Sequence, residues 1–388
     1  MNLGEKMKKT EVKLNGAKVM LICTTDNMIW QFLLPHIEDL KAYGAQVDCV
    51  CSNTGFWFNE LKEKYGLNMI EVPMERSPLK KINLKAYKTI KELQKKNNYT
   101  LIYCQQPVGG MMGRLIGKKF HIPVIYTAHG FFFFKGNSKI KNLIFKTAER
   151  YMAKYTDALI TMNDEDYNAC KNWECKHVYK INGIGIDENK YDNSKFDKSA
   201  FRKELGLKED DKVIVSVSEF IKRKNYPTML KTFAELCKTE SNVKYLLCGT
   251  GVMLEEMKIY AKALGLEDKA IFLGYRKDIN KIMQVSDVFF HQSFQEGLTM
   301  SIMEAMHFGL PVVTSNVRGN VDLIDNGKGG LITGCEDIKA QTEALTKVLH
   351  NETLAQTMGS YNKEKVKDYY LDTVRNQLKD IYKDINML

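Results

Sequence analysis

Residues 288–315 read VFFHQSFQEGLTMSIMEAMHFGLPVVTS. Val288–His291 is a short apolar and aromatic run, the composition of a buried strand. Thr299–Phe308 has helical spacing, Gly309 and Pro311 punctuate its end, and Pro311–Ser315 is β-branched again. Strand, loop, helix, strand is the repeating unit of a parallel sheet with helices on both faces. The loop carries the chemistry. Glu296 and Glu304 lie eight positions apart, and Gly297, Leu298 and Thr299 lead into the helix between them. Gly297 lets backbone approach a ligand closely. The free N–H groups and positive dipole end of the helix start favour an anion such as a diphosphate. Glu296 is placed to accept hydrogen bonds from sugar hydroxyls, and Glu304, two turns on, from ribose hydroxyls. A purely structural reading stands beside this one: Ser301-x-x-Glu304 fits a capping box, and Glu296 is then an ordinary loop carboxylate.

The same alternation runs outward in both directions. Toward the amino terminus the spacing predicts strands at Val19–Thr24, Val47–Ser52, Leu101–Cys104, Val124–Thr127 and Ala158–Met162. Helices are predicted over Asn27–Tyr43, Leu84–Lys96 and Gly110–Lys119. Asp187–Lys212 is polar and reads as a linker with a short helix. Alternation then restarts with strands at Val213–Val217, Lys244–Cys248 and Ala270–Leu273 and helices over Tyr226–Thr239 and Met253–Leu264. The fold class is α/β, with two doubly wound domains at 17–190 and 191–369 expected to face a central cleft at the carboxyl ends of their strands. A long charged helical stretch, Leu354–Leu388, closes the chain, and its part from about residue 370 is expected to return to the first domain.

With 388 residues, 44% of them hydrophobic and 27% charged, the chain has material for two cores. No apolar run reaches the roughly 18–20 residues of a membrane span, and the amino-terminal lysines have no apolar segment behind them, so no signal peptide is read. Nine cysteines without a Cys-x-x-Cys pair fit free thiols in a reducing, cytoplasmic setting. The net charge is +10, and residues 1–190 hold all of the excess, with 29 Lys+Arg against 19 Asp+Glu. Between Arg76 and Lys154 there are 17 basic residues and two acidic ones, Glu92 and Glu149. Such a patch suits an anionic membrane face, or is a lysine-rich solvated surface. No helix-turn-helix, zinc or RNA-recognition signature points to nucleic acid. Phe131–Phe134 precede Lys135-Gly136. They read either as core or as an interfacial lipid contact.

The stretch from Glu296 through Glu304-Ala305-Met306-His307-Phe308-Gly309-Leu310-Pro311-Val312-Val313, followed by Asn320–Gly327 and Gly329-Gly330-Leu331, resembles glycosyltransferase family 4, of GT-B architecture. The likeness runs from about residue 17 to near the end and is nearest to capsular- and exopolysaccharide-type enzymes. It implies a retaining transfer without bound metal or other cofactor, from a nucleotide-sugar, a UDP-sugar, to a lipid-linked saccharide at the inner membrane face. Donor-side residues are implied at Lys224, which matches the family lysine that neutralises the diphosphate, and at Arg276 in the Phe272–Arg276 loop. Glu219 stands where the family has arginine, so either Arg223 supplies the second positive charge or the site works with one. Gly249-Thr250-Gly251 follows a strand, as glycines near a nucleotide do, and matches the family Gly-x-Gly without its proline. His129, at the strand end Thr127-Ala128-His129-Gly130, matches a family histidine near donor sugar and acceptor. The catalytic set implied is thus Glu296, His129 and Lys224. On the acceptor side the resemblance implies Gly109, Gly110 and Arg114, although the glycines serve equally well for helix–sheet packing alone. The family's glycine-rich turn is absent after the first strand, and Asp26 there is read as facing the acceptor instead. No Asp-x-Asp motif or metal-ligand spacing is present. Two other classes fit parts of the sequence: a nucleotide-sugar epimerase of the same fold, and a non-catalytic membrane-associated subunit.

Overall fold

The computed structural model describes residues 14, 16–191 and 196–385. The chain forms two compact units, residues 1–184 with 374–388, and residues 185–373.

The first unit is a seven-stranded parallel sheet in the order β3-β2-β1-β4-β5-β6-β7. Its strands are β1 (Lys18–Thr25), β2 (Gln46–Ser52), β3 (Asn68–Glu71), β4 (Leu101–Gln105), β5 (Val124–Thr127), β6 (Ala158–Thr161) and β7 (His177–Lys180). The second unit repeats the plan with six strands in the order β10-β9-β8-β11-β12-β13. These are β8 (Lys212–Val217), β9 (Val243–Cys248), β10 (Ala270–Gly274), β11 (Val288–His291), β12 (Val312–Ser315) and β13 (Gly330–Thr333). Both orders reverse direction once, between β1 and β4 and between β8 and β11. Ligands of doubly wound sheets sit at the carboxyl ends of the strands flanking that point.

Both faces of each sheet are covered, so strand residues alternate between two cores rather than between core and water. In β8, Val213 and Val215 join one cluster and Ile214 the other; in β11, Phe289 joins the first and Phe290 the second. All five are fully buried.

Several elements depart from the sequence expectation. The predicted Asn27–Tyr43 helix is interrupted by a π-helical segment at Ile29–Leu33, and Pro35, which lacks an amide N–H, opens the α-helix that follows. The last stretch is two α-helices, Glu352–Lys365 and Leu371–Asp384, separated by a 3₁₀ turn at Val366–Tyr369. The turn is held by Ile186, whose N–H donates to Tyr369 and whose carbonyl accepts from Leu371. The final helix belongs to the first unit, where Arg375 forms a bidentate pair with Asp39. Edge strands β3 and β7 escape the sequence reading because, unlike the equally short inner strands, each is half polar. A helix at Lys139–Ala153 escapes it too.

Candidate donor site and acceptor-side residues

In the second unit the loop after β8 contains a 3₁₀ turn, Lys222–Lys224, ended by Asn225 at φ 56°. Asparagine tolerates this left-handed backbone. Its side-chain amide donates to the carbonyls of Gln292 and Cys335 at 3.0 and 2.7 Å, which pins the turn against the loop after β11. Lys224 Nζ is thereby delivered 2.7 Å from Glu296 Oε1, and Arg223 Nη1 2.9 Å from Glu296 Oε2. His291, the last residue of β11, places Nε2 3.0 Å from the same Oε1.

The result is one carboxylate clasped by three groups. Burial alone would push the Glu296 carboxyl up, but Lys224, His291 and Arg223 together hold it well below the usual carboxylate range. Burial lowers the Lys224 ammonium despite the carboxylate beside it. Burial likewise lowers His291, which leaves a neutral imidazole donating from Nε2 to Glu296. Two cations thus face the Glu296 carboxylate at the carboxyl ends of β8 and β11, and the exposed Glu219 carboxylate acts on Lys224 from the same loop. Lys224 is buried, whereas the Arg223 side chain is 39% exposed and reaches solvent.

The helix starts at Met300 with Thr299 as its N-cap residue. Ser301 is inside the helix, so the capping-box reading of Ser301 and Glu304 fails. Thr299 does not cap with its side chain either; its hydroxyl donates to Asn320 Oδ1 at 2.7 Å, which leaves the first helical N–H groups uncapped by it. Gly297 and Leu298 are held from beneath by residues the sequence reading passes over. Arg318 Nε donates to the Glu296 carbonyl at 2.9 Å. At Gly319, φ 79°, a Cβ would stand 2.5 Å from the Gly297 carbonyl oxygen, so only glycine admits the loop. Arg318-Gly319, in the short loop after β12, was the available signal, as was His291, a polar end to an apolar strand.

Glu304 lies on the helix, partly buried, and accepts from the Tyr191 hydroxyl at 3.1 Å. Burial pushes its carboxyl up to about 7. Gly249 and Gly251 follow β9, and a Cβ on them would strike the Ser218 carbonyl oxygen at 2.0 Å and the Phe220 carbonyl oxygen at 2.5 Å. Their close approach is to the chain itself: they seat the loop that carries Lys224. Arg276 is folded back on Asp278 in a bidentate pair at 2.8 and 2.7 Å.

In the first unit His129 follows β5 and shares a 2.7 Å hydrogen bond with Gln105 Oε1. Burial lowers its pKa to about 3, so the imidazole is neutral. Gln106, beside it at the end of β4, is a non-glycine residue at φ 62° whose side chain accepts from the Thr24 N–H. Such strain clusters at functional positions.

The four acceptor-side residues turn inward. Asp26 is fully buried and accepts from Thr54 N–H, Thr54 Oγ1 and Asn27 N–H. It braces the loops after β1 and β2. Gly109 and Gly110 allow helix to meet sheet: a Cβ would stand 3.0 Å from the Ile22 carbonyl oxygen and 2.3 Å from the Tyr126 ring. Arg114, 1% exposed, stacks 4.1 Å over Tyr126 and pairs with Glu149 at 2.8 Å. These positions pack the helix on the sheet, where an arginine can be buried only because Glu149 and the Gly110 carbonyl receive it. Phe131 and Phe133 are also core, stacked 4.8 Å apart beside Trp173. Among the described residues no three His, Cys, Asp or Glu side chains are grouped as metal ligands, and no helix is long and apolar enough to cross a membrane.

Two doubly wound parallel sheets, of seven and six strands, are the layout of the GT-B fold. Residues 18–163 match the family described as glycosyl transferase 4-like, and residues 197–365 that of glycosyl transferases group 1. The chain belongs to this family and is a glycosyltransferase. It is 27% identical to the putative glycosyltransferase EpsD of Bacillus subtilis, over 94% of this chain and 96% of that one. It is 28% identical to the UDP-Gal:alpha-D-GlcNAc-diphosphoundecaprenol alpha-1,3-galactosyltransferase of Escherichia coli, over 96% and 100%. Among solved structures, Anabaena HepE in complex with UDP and glucose superposes with a TM-score of 0.77 at 19% identity, over 95% of this chain and all of that one.

Proposed function

We propose that this glycosyltransferase moves a sugar from a UDP-sugar to a lipid-linked saccharide during surface polysaccharide assembly, with retention at the anomeric carbon, at the inner face of the cytoplasmic membrane. The observation that carries the donor half is the cluster of Glu296, Lys224 and Arg223, two cations on one buried carboxylate, next to the Met300 helix start. As the bond from the sugar C1 to the diphosphate breaks, negative charge grows on the leaving oxygen. A preorganised cation in a dry site stabilises that charge most when it is fully developed. Glu296 holds Lys224 and Arg223 in place, and Glu304 offers a carboxyl to ribose hydroxyls. The acceptor half is supported by the E. coli relative, whose name states a diphosphoundecaprenol-linked acceptor.

The test is nucleotide release from a panel of UDP-, GDP- and ADP-sugars, with and without extracted lipid-linked oligosaccharide. Release of UDP from one sugar, stimulated by the lipid fraction, is expected. Lys224→Ala should lower kcat by about 10²–10³, the loss typical of one electrostatic donor. A Lys224→Ala enzyme that turns over like the parent would remove this lysine from the chemistry, and GDP or ADP release would replace the donor.

A further inference from the structure

We propose that the outer face of the Lys139–Ala153 helix is the surface by which the first unit rests on an anionic lipid bilayer. The inference rests on the reading that the acceptor is lipid-linked, and adds the element that meets the lipid.

An amphipathic helix normally turns its apolar stripe to the core. This one does the reverse. Ile140, Leu143, Ile144 and Tyr151 are 72%, 70%, 60% and 52% exposed. At about 100° per residue, these four positions with Thr147 form one stripe about 100° wide along the helix. The opposite side, with Asn142, Phe145, Glu149 and Met152, faces the protein. Lys139, Lys146 and Arg150 line one rim of the stripe and Lys141 the other, all exposed.

Charge decides what covers this face. Glu149 is the single acid of the helix, and Arg114 draws it inward at 2.8 Å. The outer surface therefore presents apolar side chains between cations, with no acid among them. That is the arrangement of a helix lying in the plane of a bilayer, apolar groups in the acyl boundary and lysines at phosphate level. Lys118 extends the rim: its ammonium donates to Tyr155 Oη at 2.7 Å, and Tyr155 packs edge-on against Tyr151. Tyrosines with a wet hydroxyl and an apolar ring suit that depth. A symmetric contact with a second copy is disfavoured because both rims are cationic and would face each other.

Two variants and one binding assay test this. Vesicle co-sedimentation is run with phosphatidylcholine alone and with added phosphatidylglycerol, at low and high salt. The parent should bind the anionic vesicles only, and more weakly at high salt. Ile140→Ser/Leu143→Ser/Ile144→Ser should weaken binding by at least about tenfold with an unchanged Tm, because the side chains are already in water. Lys139→Glu/Lys146→Glu should weaken it by about fivefold for each positive charge removed, and further through repulsion. Unchanged partition of the triple-serine variant overturns the proposal. So does equal binding of the parent to neutral vesicles, or a parent dimer in light scattering that the triple-serine variant dissociates while vesicle binding persists. Nucleotide release with detergent-dispersed acceptor is measured in parallel. Transfer in detergent with no helix-dependent vesicle binding overturns the membrane face alone. Helix-dependent vesicle binding with no transfer to any lipid-linked acceptor overturns the acceptor reading alone.

Discussion

Replacing Glu296 by Gln removes the buried negative charge that directly contacts Lys224 and Arg223 and keeps its shape. Gln still accepts a hydrogen bond from Lys224, 2.7 Å away, but no longer neutralises it. Lys224 is buried and already lowered by that burial. Stranding a buried cation costs about 3–5 kcal/mol, far more than the pair itself contributes. Arg223 adds about 0–1 kcal/mol, because it is more than a third exposed and screened by water. A unit of this size shifts by about 2–4 °C per kcal/mol, so Tm should fall by roughly 6–20 °C. The variant escapes by releasing the lysine proton. A folded-state lysine pKa below the unfolded one gives stability that is present above the unfolded value and lost as pH falls through the folded value. The deficit against the parent should therefore shrink as pH rises toward about 10. Lys224→Met added to Glu296→Gln should recover most of the loss, since no buried charge remains. Urea unfolding of parent, both single variants and the double variant, at neutral and alkaline pH, measures all of this. A Glu296→Gln deficit below about 1 kcal/mol that does not change with pH would refute the cluster as an energetic unit.

Glu304 should make stability fall as pH rises. Its folded pKa of about 7 lies above the unfolded value near 4.5, so its contribution is complete below 4.5 and lost through 7. The amount is up to about 3 kcal/mol, and Glu304→Gln should flatten unfolding curves measured across that window. Gly319→Val should push the Gly297 loop away, because its Cβ would stand 2.5 Å from a carbonyl oxygen. Donor KM should rise about tenfold or more in steady-state assays, and a KM within twofold of the parent would mean the loop does not meet the donor. Arg114→Met should cost about 3–5 kcal/mol in urea unfolding by stranding Glu149. Arg114→Met with Glu149→Met should restore most of it, and an acceptor-binding role would instead show as a KM defect in the folded double variant.

The inner strands of both sheets were legible because they are apolar runs alternating with helical ones, whereas the polar edge strands β3 and β7 were not. The meeting of Glu296 and Lys224 was legible to the extent that one sits in a contiguous motif and the other matches a family position. The acceptor side was not. Gly109, Gly110 and Arg114 form a glycine-rich helix start with a cation, which looks the same in sequence whether it faces a ligand or a sheet. Only the Tyr126 ring beneath Gly110 and the Glu149 carboxylate, 35 positions from Arg114, decide that it faces the sheet. The phenylalanine tract was open between core and lipid contact for the same reason: Trp173 receives Phe131 and Phe133 in the core, and the exposed apolar residues come in the helix that follows.

The sequence by itself determined the α/β class, the repeat of one doubly wound plan and the family, since periodicity and contiguous motifs are local properties. Tertiary structure alone decided which charges meet. Glu296 is 72 residues from Lys224 and five from His291, yet all three share one buried oxygen. That convergence follows from β8 and β11 being neighbours at the reversal point of the sheet. It also decided which way the Lys139–Ala153 helix turns, because burying Glu149 against Arg114 fixes the rotation of the helix and leaves its apolar stripe in water.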